Sequence, residues 1–164
     1  MRRSCRGNMM MEATLWIPIM ALLIVGMIQV GKITYLYYSL KKSVYAAARY
    51  LSVQQGVNFC DPANDPSVAA AFQFAVTGTA DGSGTPLISN FTTDMLQVTP
   101  ECVDAASGVP GPCDTSACPT IMLKPDYIVV NMPGGYQVQP RIPFITLLPI
   151  SLAPSIMVPF GGTT

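Results

Sequence analysis

The chain has 164 residues, of which 50% are hydrophobic and only 11% are charged, and its nine basic and nine acidic residues give no net charge. The length suits one domain, and the low charge is unusual for a water-soluble protein but typical of a chain with one membrane-spanning segment. The sequence has no histidine, and since histidine is the commonest general base and metal ligand, most catalytic constellations are excluded. We therefore expect no enzyme activity, no cofactor and no metal site.

The first element is a long apolar run near the N-terminus. Residues Met9–Val30 carry a single charge, on Glu12. At a rise of about 1.5 Å per residue, a helix of about twenty residues can cross the roughly 30 Å hydrocarbon core of a bilayer. The run therefore predicts a transmembrane helix over residues 8–31.

Glu12 is a carboxylate within this apolar run. A charge inside a membrane helix costs about 3 kcal/mol on insertion scales, so such a residue is expected to be paired or to have a function. This reasoning predicts a cation as the partner of Glu12. The alternative is that Glu12 lies at the lipid headgroup boundary, where its cost is small, and that the membrane segment begins at Ala13.

A secretory signal peptide is a rival interpretation of the N-terminus, because it also combines a basic start with an apolar core. The apolar core here is longer than the roughly 7–15 residues of a signal peptide. The residues that close it, Val30-Gly31-Lys32, also form a poor cleavage site. These two features favour a membrane helix.

The N-terminus resembles the processing signature of type IV prepilin-like proteins. The signature consists of basic residues, a glycine and a carboxylate five positions later, here Arg2, Arg3, Arg6, Gly7 and Glu12. The resemblance implies that a prepilin peptidase removes residues 1–7 as a basic leader by cutting between Gly7 and Asn8. It also implies that Glu12 pairs with the new terminal amine of a neighbouring subunit.

Within that superfamily, the N-terminal third is similar to the TadE-like proteins of tight-adherence pilus systems. The shared features are Glu12-Ala13-Thr14-Leu15-Trp16-Ile17-Pro18-Ile19, Gly26, Gly31-Lys32 and Ala47-Ala48-Arg49-Tyr50. The resemblance implies a structural, pilin-like subunit in the bacterial inner membrane. Its implied partners are the membrane, other pilin-like subunits and the prepilin peptidase.

Beyond Val30 the apolar residues recur at spacings of three and four. The members of this stripe are Ile33, Leu36, Tyr37, Leu40, Val44, Ala47, Ala48 and Leu51. The periodicity predicts that the membrane helix continues as an amphipathic helix over residues 32–56. We expect a globular head to cover the stripe, and we expect Ser39 and Ser43 to lie outside it.

Residues 57–164 are predicted to form a small β-rich head, which makes the protein α+β overall. The predicted elements are a helix over Ser67–Val76, strands over Leu96–Val103, Ala117–Leu123 and Tyr127–Met132, a hairpin from the last of these to Tyr136–Gln139, and edge segments over Ile142–Leu148 and Ile150–Val158. The C-terminal apolar stretch is not predicted to span the membrane, because prolines interrupt it every five or six residues. We expect its two segments to cover the head, and the alternative is that they form a contact with another subunit.

Four cysteines lie beyond the helix, namely Cys60, Cys102, Cys113 and Cys118. Four cysteines in a small head predict two disulfides and an oxidising compartment, either the periplasm or the outside of the cell. Of the three possible pairings, our first choice is Cys113–Cys118 with Cys60–Cys102. A zinc site is the alternative, but the spacing is not that of a zinc knuckle.

Two functions are consistent with these features. The first is a pilin-like subunit that is processed after Gly7 and takes part in pilus assembly. The second is an unprocessed, membrane-anchored periplasmic module that assists assembly or binds a ligand. Nucleic acid is not an expected partner, because residues 51–164 hold two basic residues against eight acidic ones and offer little to a phosphate backbone.

Overall fold

One helix, α1, occupies the N-terminal third of the chain in the computed structural model, which describes residues 6–116, 118, 123–142 and 145–161. This helix runs without interruption over Arg6–Val53, and Pro18 lies within it. Its end comes shortly before Gly56, which has a φ of 71°, a conformation that side chains with a Cβ rarely adopt. The long helix that was predicted from the sequence is confirmed.

The other elements are short. They are α2 (Pro66–Thr77), a 3₁₀ turn (Thr93–Met95), β1 (Gln97–Val103), β2 (Pro110–Pro112), β3 (Tyr127–Asn131), β4 (Tyr136–Val138), β5 (Arg141–Ile142), β6 (Ile145–Thr146), β7 (Ile150–Leu152) and β8 (Ile156–Pro159). A long N-terminal helix followed by antiparallel strands makes the protein α+β, as predicted.

Contacts divide the chain into two units. The described residues up to Leu36 form one unit with Val138–Ile150, and we call it the stalk unit. The described residues from Tyr37 to Gln137 form the second with those after Ile150, and we call it the head unit. The segment Ile142–Leu148, which was predicted to cover the head, thus groups with the stalk unit.

The second half of α1 supplies a buried stripe to the head unit. Its fully buried members are Leu40, Val44, Ala47, Ala48 and Leu51. This part of the predicted stripe is confirmed. Ser43 is also buried, with 8% of its surface exposed, so the expectation that it lies outside the stripe was wrong. Since Ser43 is one turn from both Leu40 and Ala47, it lies on the same face of the helix.

Helix α2 begins at a buried cap, as the Asp65-Pro66 sequence suggests. The Oδ1 atom of Asp65 accepts hydrogen bonds from the backbone N–H groups of Ser67, at 2.7 Å, and Val68, at 3.3 Å. Its Oδ2 atom accepts one from the N–H of Asn58, also at 2.7 Å. One carboxylate therefore satisfies two free N–H groups of the helix end and also fixes the preceding loop. The predicted helix is confirmed.

Strand β3 lies inside a four-stranded antiparallel sheet with the order β2-β1-β3-β8. Val130 of β3 lies opposite Val98 of β1, and Ile128 of β3 lies opposite Val158 of β8. All four side chains are buried. Because side chains alternate between the faces of a strand, these residues form one apolar face, and Tyr127, Val129 and Asn131 form the other.

The predicted hairpin between β3 and the following strand was wrong. Both edges of β3 are already paired, with β1 and β8, and β4 pairs with β7 instead. The turn that separates β3 from β4 contains Gly135, which has a φ of 59° and whose N–H donates to the carbonyl of Met132. A Cβ on Gly135 would collide with the side chain of Ser151, so this turn both needs positive φ and brings the β4 and β7 segments close together.

The strand that was predicted over Ala117–Leu123 lies largely outside the described residues. The loop before it contains a short strand that the sequence did not indicate, β2, which is rich in glycine and proline. Its register with β1 places Cys102 opposite Gly111. The pairing brings Cys102 close to Cys113, two residues further along.

The two disulfides join Cys60 to Cys118 and Cys102 to Cys113, with Cα–Cα distances of 5.7 and 4.8 Å. The predicted presence of disulfides is confirmed, but our first choice of pairing was wrong. The pairing of β1 with β2 explains why the connectivity differs from our first choice, because it brings Cys113 close to Cys102. Cys118 is then left for Cys60, which lies 58 positions earlier in the chain.

Candidate functional site

The first half of α1 exposes an unusually apolar surface. Large side chains with more than half of their surface exposed are Met10, Met11, Leu15, Trp16, Ile17, Met20, Leu22, Leu23, Ile24, Met27, Ile28 and Val30. The helix is long and apolar enough to cross a membrane, with a mean hydropathy of 2.1 over its most apolar stretch, none of which is buried. A contiguous surface of this kind marks a contact with lipid or with another protein.

Glu12 is the one carboxylate on this surface, and it is exposed. Within the part of the chain that the structure describes, no ion pair holds its side chain. A neighbouring hydrogen bond, from the Thr14 hydroxyl to the carbonyl of Met10 at 2.7 Å, does not involve Glu12. The geometry therefore leaves the Glu12 carboxylate accessible to a cation from outside the chain.

The residues of the expected cleavage site lie at the beginning of α1. Helix α1 begins at Arg6, so Gly7 and Asn8 belong to its first turn. The backbone N–H groups of a first turn have no partner within the helix, and such ends open most readily. Asn8 and Glu12 are four residues apart, which places both on one face of the helix.

Two glycines interrupt the bulky surface of the helix. An added Cβ at Gly26 or at Gly31 would have no neighbour within 4 Å, so these positions are open on the isolated chain. Small residues at such positions let the backbones of two membrane helices approach closely. The helix thus carries features that suit packing against other helices.

The head unit offers a different kind of surface. A groove of about 430 Å³ lies over the second half of α1 and is lined by Lys42, Tyr45, Ala46, Arg49, Tyr50, Val53 and Phe74. The rings of Tyr50 and Phe74, which both line this groove, stack with their centroids 5.8 Å apart. A second groove of about 410 Å³ runs between α2 and the start of β1. Two cations, Lys42 and Arg49, line the first groove, and one acidic residue, Asp94, lines the second.

Three acidic residues of the head, Asp81, Asp104 and Asp114, accept hydrogen bonds from residues that follow them closely in the chain. Hydrogen bonds hold the pKa of Asp81, Asp104 and Asp114 below the ordinary range, and the largest contribution in each case is a backbone N–H, from Ser83, Ser107 and Ser116 respectively. Asp104 shows the pattern most fully, because its Oδ1 atom accepts from the N–H groups of Ala106 and Ser107 at 2.7 and 2.8 Å. Among the described residues, no three potential metal ligands are grouped together.

The comparison with protein families bears on the helix. Residues 7–49 match the family model of TadE-like proteins. We call residues 7–49 the TadE-like segment, after the family to which they are similar. The match begins at Gly7, includes Glu12 and ends at Arg49, within the part of α1 that enters the head unit.

The comparisons with curated proteins and with solved structures gave no match. Gly7, Asn8 and Glu12 were selected from the sequence by their resemblance to a known pattern, and their roles stay predictions. Gln29, whose side-chain amide donates a hydrogen bond to the backbone carbonyl of Arg141, was not selected. Gln29 could have been singled out from the sequence, because Thr14 and Gln29 are the only polar residues between Ala13 and Val30.

Proposed function

We propose that this chain is a pilin-like structural subunit of a tight-adherence pilus, anchored in the bacterial inner membrane by α1 and processed after Gly7. The observation that carries the proposal is the exposed apolar half of α1 with its single carboxylate, in the segment that matches TadE-like proteins. The two disulfides support placing the head in the periplasm or outside the cell, because disulfides persist in oxidising compartments.

Cleavage between Gly7 and Asn8 would change the charge at the beginning of the helix. It removes the arginines of the leader and leaves a terminal amine on Asn8. This amine is a cation at neutral pH, and it lies one helical turn from the carboxylate of Glu12. The processed subunit then presents both partners of an ion pair on one face.

Pairing between neighbouring subunits would give Glu12 a role in assembly. An ionised carboxylate in apolar surroundings is costly unless a cation lies close to it. When two processed helices pack together, the amine of one can neutralise Glu12 of the other. Assembly then removes a cost that the isolated subunit carries, and correct pairing also sets the relative height of the two helices.

A membrane-anchored module that keeps its leader and does not polymerise is the second candidate function. The groove between α2 and β1 favours this second function. It has a volume of about 410 Å³ and is lined by Phe72, Leu96 and other residues, so it could receive part of another pilus component. Such a module would assist assembly from the periplasm and would retain Met1.

The two functions differ in the mature N-terminus. Mass spectrometry of the chain purified from cells that contain the prepilin peptidase is expected to find Asn8 as the first residue. Cells without the peptidase serve as the control and should yield the uncleaved chain. If both preparations begin at Met1, the processed-subunit proposal is wrong and the second candidate gains support.

We predict that Glu12→Ala leaves membrane insertion intact but strongly reduces incorporation into filaments. The substitution makes the helix more apolar, so insertion should not suffer, whereas the partner of the neighbour's amine is lost. Fractionation of cells that coexpress tagged variant and wild-type chains measures both quantities. Met11→Ala, one residue away, is the control and should assemble normally. Normal assembly of Glu12→Ala would show that Glu12 only lies at the membrane boundary.

A further inference from the structure

The stalk unit contains a small hairpin in addition to α1. Strands β5 and β6 pair in the antiparallel direction, with Arg141 opposite Thr146. The side-chain amide of Gln29 donates a 2.7 Å hydrogen bond to the backbone carbonyl of Arg141. We call the segment Val138–Ile150 the stalk hairpin. It is thus bonded to the apolar half of α1 within the same unit.

The position of Gln29 along α1 defines the height of the stalk hairpin. Residues 13–31 carry no charge and separate Glu12 from Lys32, and as a helix they span about 28 Å at 1.5 Å per residue. This length matches the hydrocarbon core of a bilayer, which is about 30 Å thick. Gln29 lies one turn before Lys32, so its partner Arg141 lies at the boundary of the bilayer on the side of the head.

The composition of the stalk hairpin suits that boundary. Leu148 has 86% of its surface exposed, and Leu147 and Ile150 have 39% and 42%. Arg141 is the only charged residue between Val138 and Ile150, and it is exposed. A segment with exposed aliphatic side chains, one cation and no acid complements the interface of a membrane, where the acyl chains are apolar and the headgroups are anionic.

We propose that the stalk hairpin is a second membrane-contacting element, which inserts Leu147, Leu148 and Ile150 into the boundary between lipid headgroups and acyl chains. Arg141 then lies among the phosphates of the headgroups. The proposal rests on the membrane anchoring by α1 in the proposed function. The occupant is lipid and not another subunit, because the hydrogen bond from Gln29 holds the hairpin at the height of the bilayer surface, continuous with the lipid-facing helix.

Such a contact would give α1 a defined orientation. A single helix can rotate and tilt in a bilayer, and its orientation is set by neighbours and by residues at the interface. The stalk hairpin extends to one side of α1, where Gln29 lies. It therefore selects which face of α1 remains available to lipid and to neighbouring helices before any filament forms.

The test uses tryptophan fluorescence of the full chain in vesicles of phosphatidylcholine and phosphatidylglycerol in equal amounts. Trp16 is the only tryptophan, so Leu148→Trp is introduced together with Trp16→Phe. Quenching is measured with lipids that carry bromine on the upper part of the acyl chain. Val109→Trp in the same background is the matched control, because Val109 is 59% exposed and lies in the head unit.

The tryptophan introduced by Leu148→Trp is expected to be quenched severalfold more strongly than the one introduced by Val109→Trp, and to emit at a shorter wavelength. Equal, weak quenching of both would overturn the proposal. The proposal would also be overturned if quenching of the tryptophan introduced by Leu148→Trp falls as the ratio of protein to lipid rises. Another subunit, and not lipid, would then cover that position.

The unsubstituted chain separates this failure from a failure of the anchor. If α1 spans the bilayer, Trp16, which lies four residues from Glu12, is quenched strongly by lipids that are brominated on the upper part of the acyl chain. Quenching of Trp16 without quenching at the Leu148 position leaves the anchor in place and rejects only the stalk hairpin. If Trp16 is not quenched either, both the anchor and the hairpin contact are rejected.

Discussion

Replacing Val44 with aspartate is expected to lower the free energy of unfolding of the head unit by about 4 kcal/mol. Val44 has no exposed surface in the stripe that α1 contributes to the head. An aspartate there would bury a carboxylate without a cation, or would be protonated and leave polar atoms without partners. Denaturant unfolding of the full chain in detergent micelles, followed by the near-ultraviolet circular dichroism of the head's tyrosines, measures the change.

Val53→Asp is the matched control, because it makes the same change on the same helix at a position that is 64% exposed. The expected loss there is below about 1 kcal/mol, and it arises mainly from a negative charge at the C-terminal end of a helix. A similar loss at both positions would contradict burial of the stripe in the chain's own head. A small loss at both would indicate that the stripe is covered only when subunits assemble.

Removal of the Cys60–Cys118 disulfide should also have a large effect. The double substitution Cys60→Ser with Cys118→Ser opens a loop of 58 residues. The chain-entropy estimate for this loop is about 4.2 kcal/mol of stability at 25 °C. A loss of this size approaches the total stability of a small domain, so the variant is expected to be largely unfolded near body temperature. Denaturant unfolding in the presence and absence of a reductant measures the loss.

The second disulfide provides the comparison. Cys102→Ser with Cys113→Ser opens a loop with a sequence separation of only 11, for which the same estimate gives about 2.8 kcal/mol. The first double variant should therefore be the less stable of the two by about 1.4 kcal/mol. Mass mapping of unreduced peptides must first find these two pairs, and a peptide that joins Cys60 to Cys102 would contradict the pairing. The opposite order of stability would contradict the loop-length explanation.

The TadE-like segment ends at Arg49, so it includes both the exposed apolar half of α1 and most of the stripe that the head unit buries. A variant such as Val44→Asp is expected to damage the head while leaving the membrane segment unchanged. Glu12→Ala is expected to do the reverse, and comparison of the two variants would separate folding of the head from assembly of the subunit.

The elements that depend on neighbouring residues were predictable from the sequence. The membrane-length helix follows from an uncharged run, and its buried continuation follows from spacings of three and four, because a helix places such residues on one face. Helix α2 follows from Asp65-Pro66, since its cap bonds lie within three residues. Strand β3 follows from a β-branched run between prolines. The resemblance at Gly7 and Glu12 is equally local.

Partners that lie far apart in the chain were decided only by the tertiary structure. Strand β3 could have paired with the next strand in the sequence, but β8 occupies that edge, and no local signal distinguishes the two partners. The cysteine pairing depends on β2, whose glycine and proline content hides it as a strand. The position of Arg141 beside Gln29 joins residues 112 positions apart. Sequence periodicity identifies which face of an element is apolar, whereas competition among distant segments decides what covers that face.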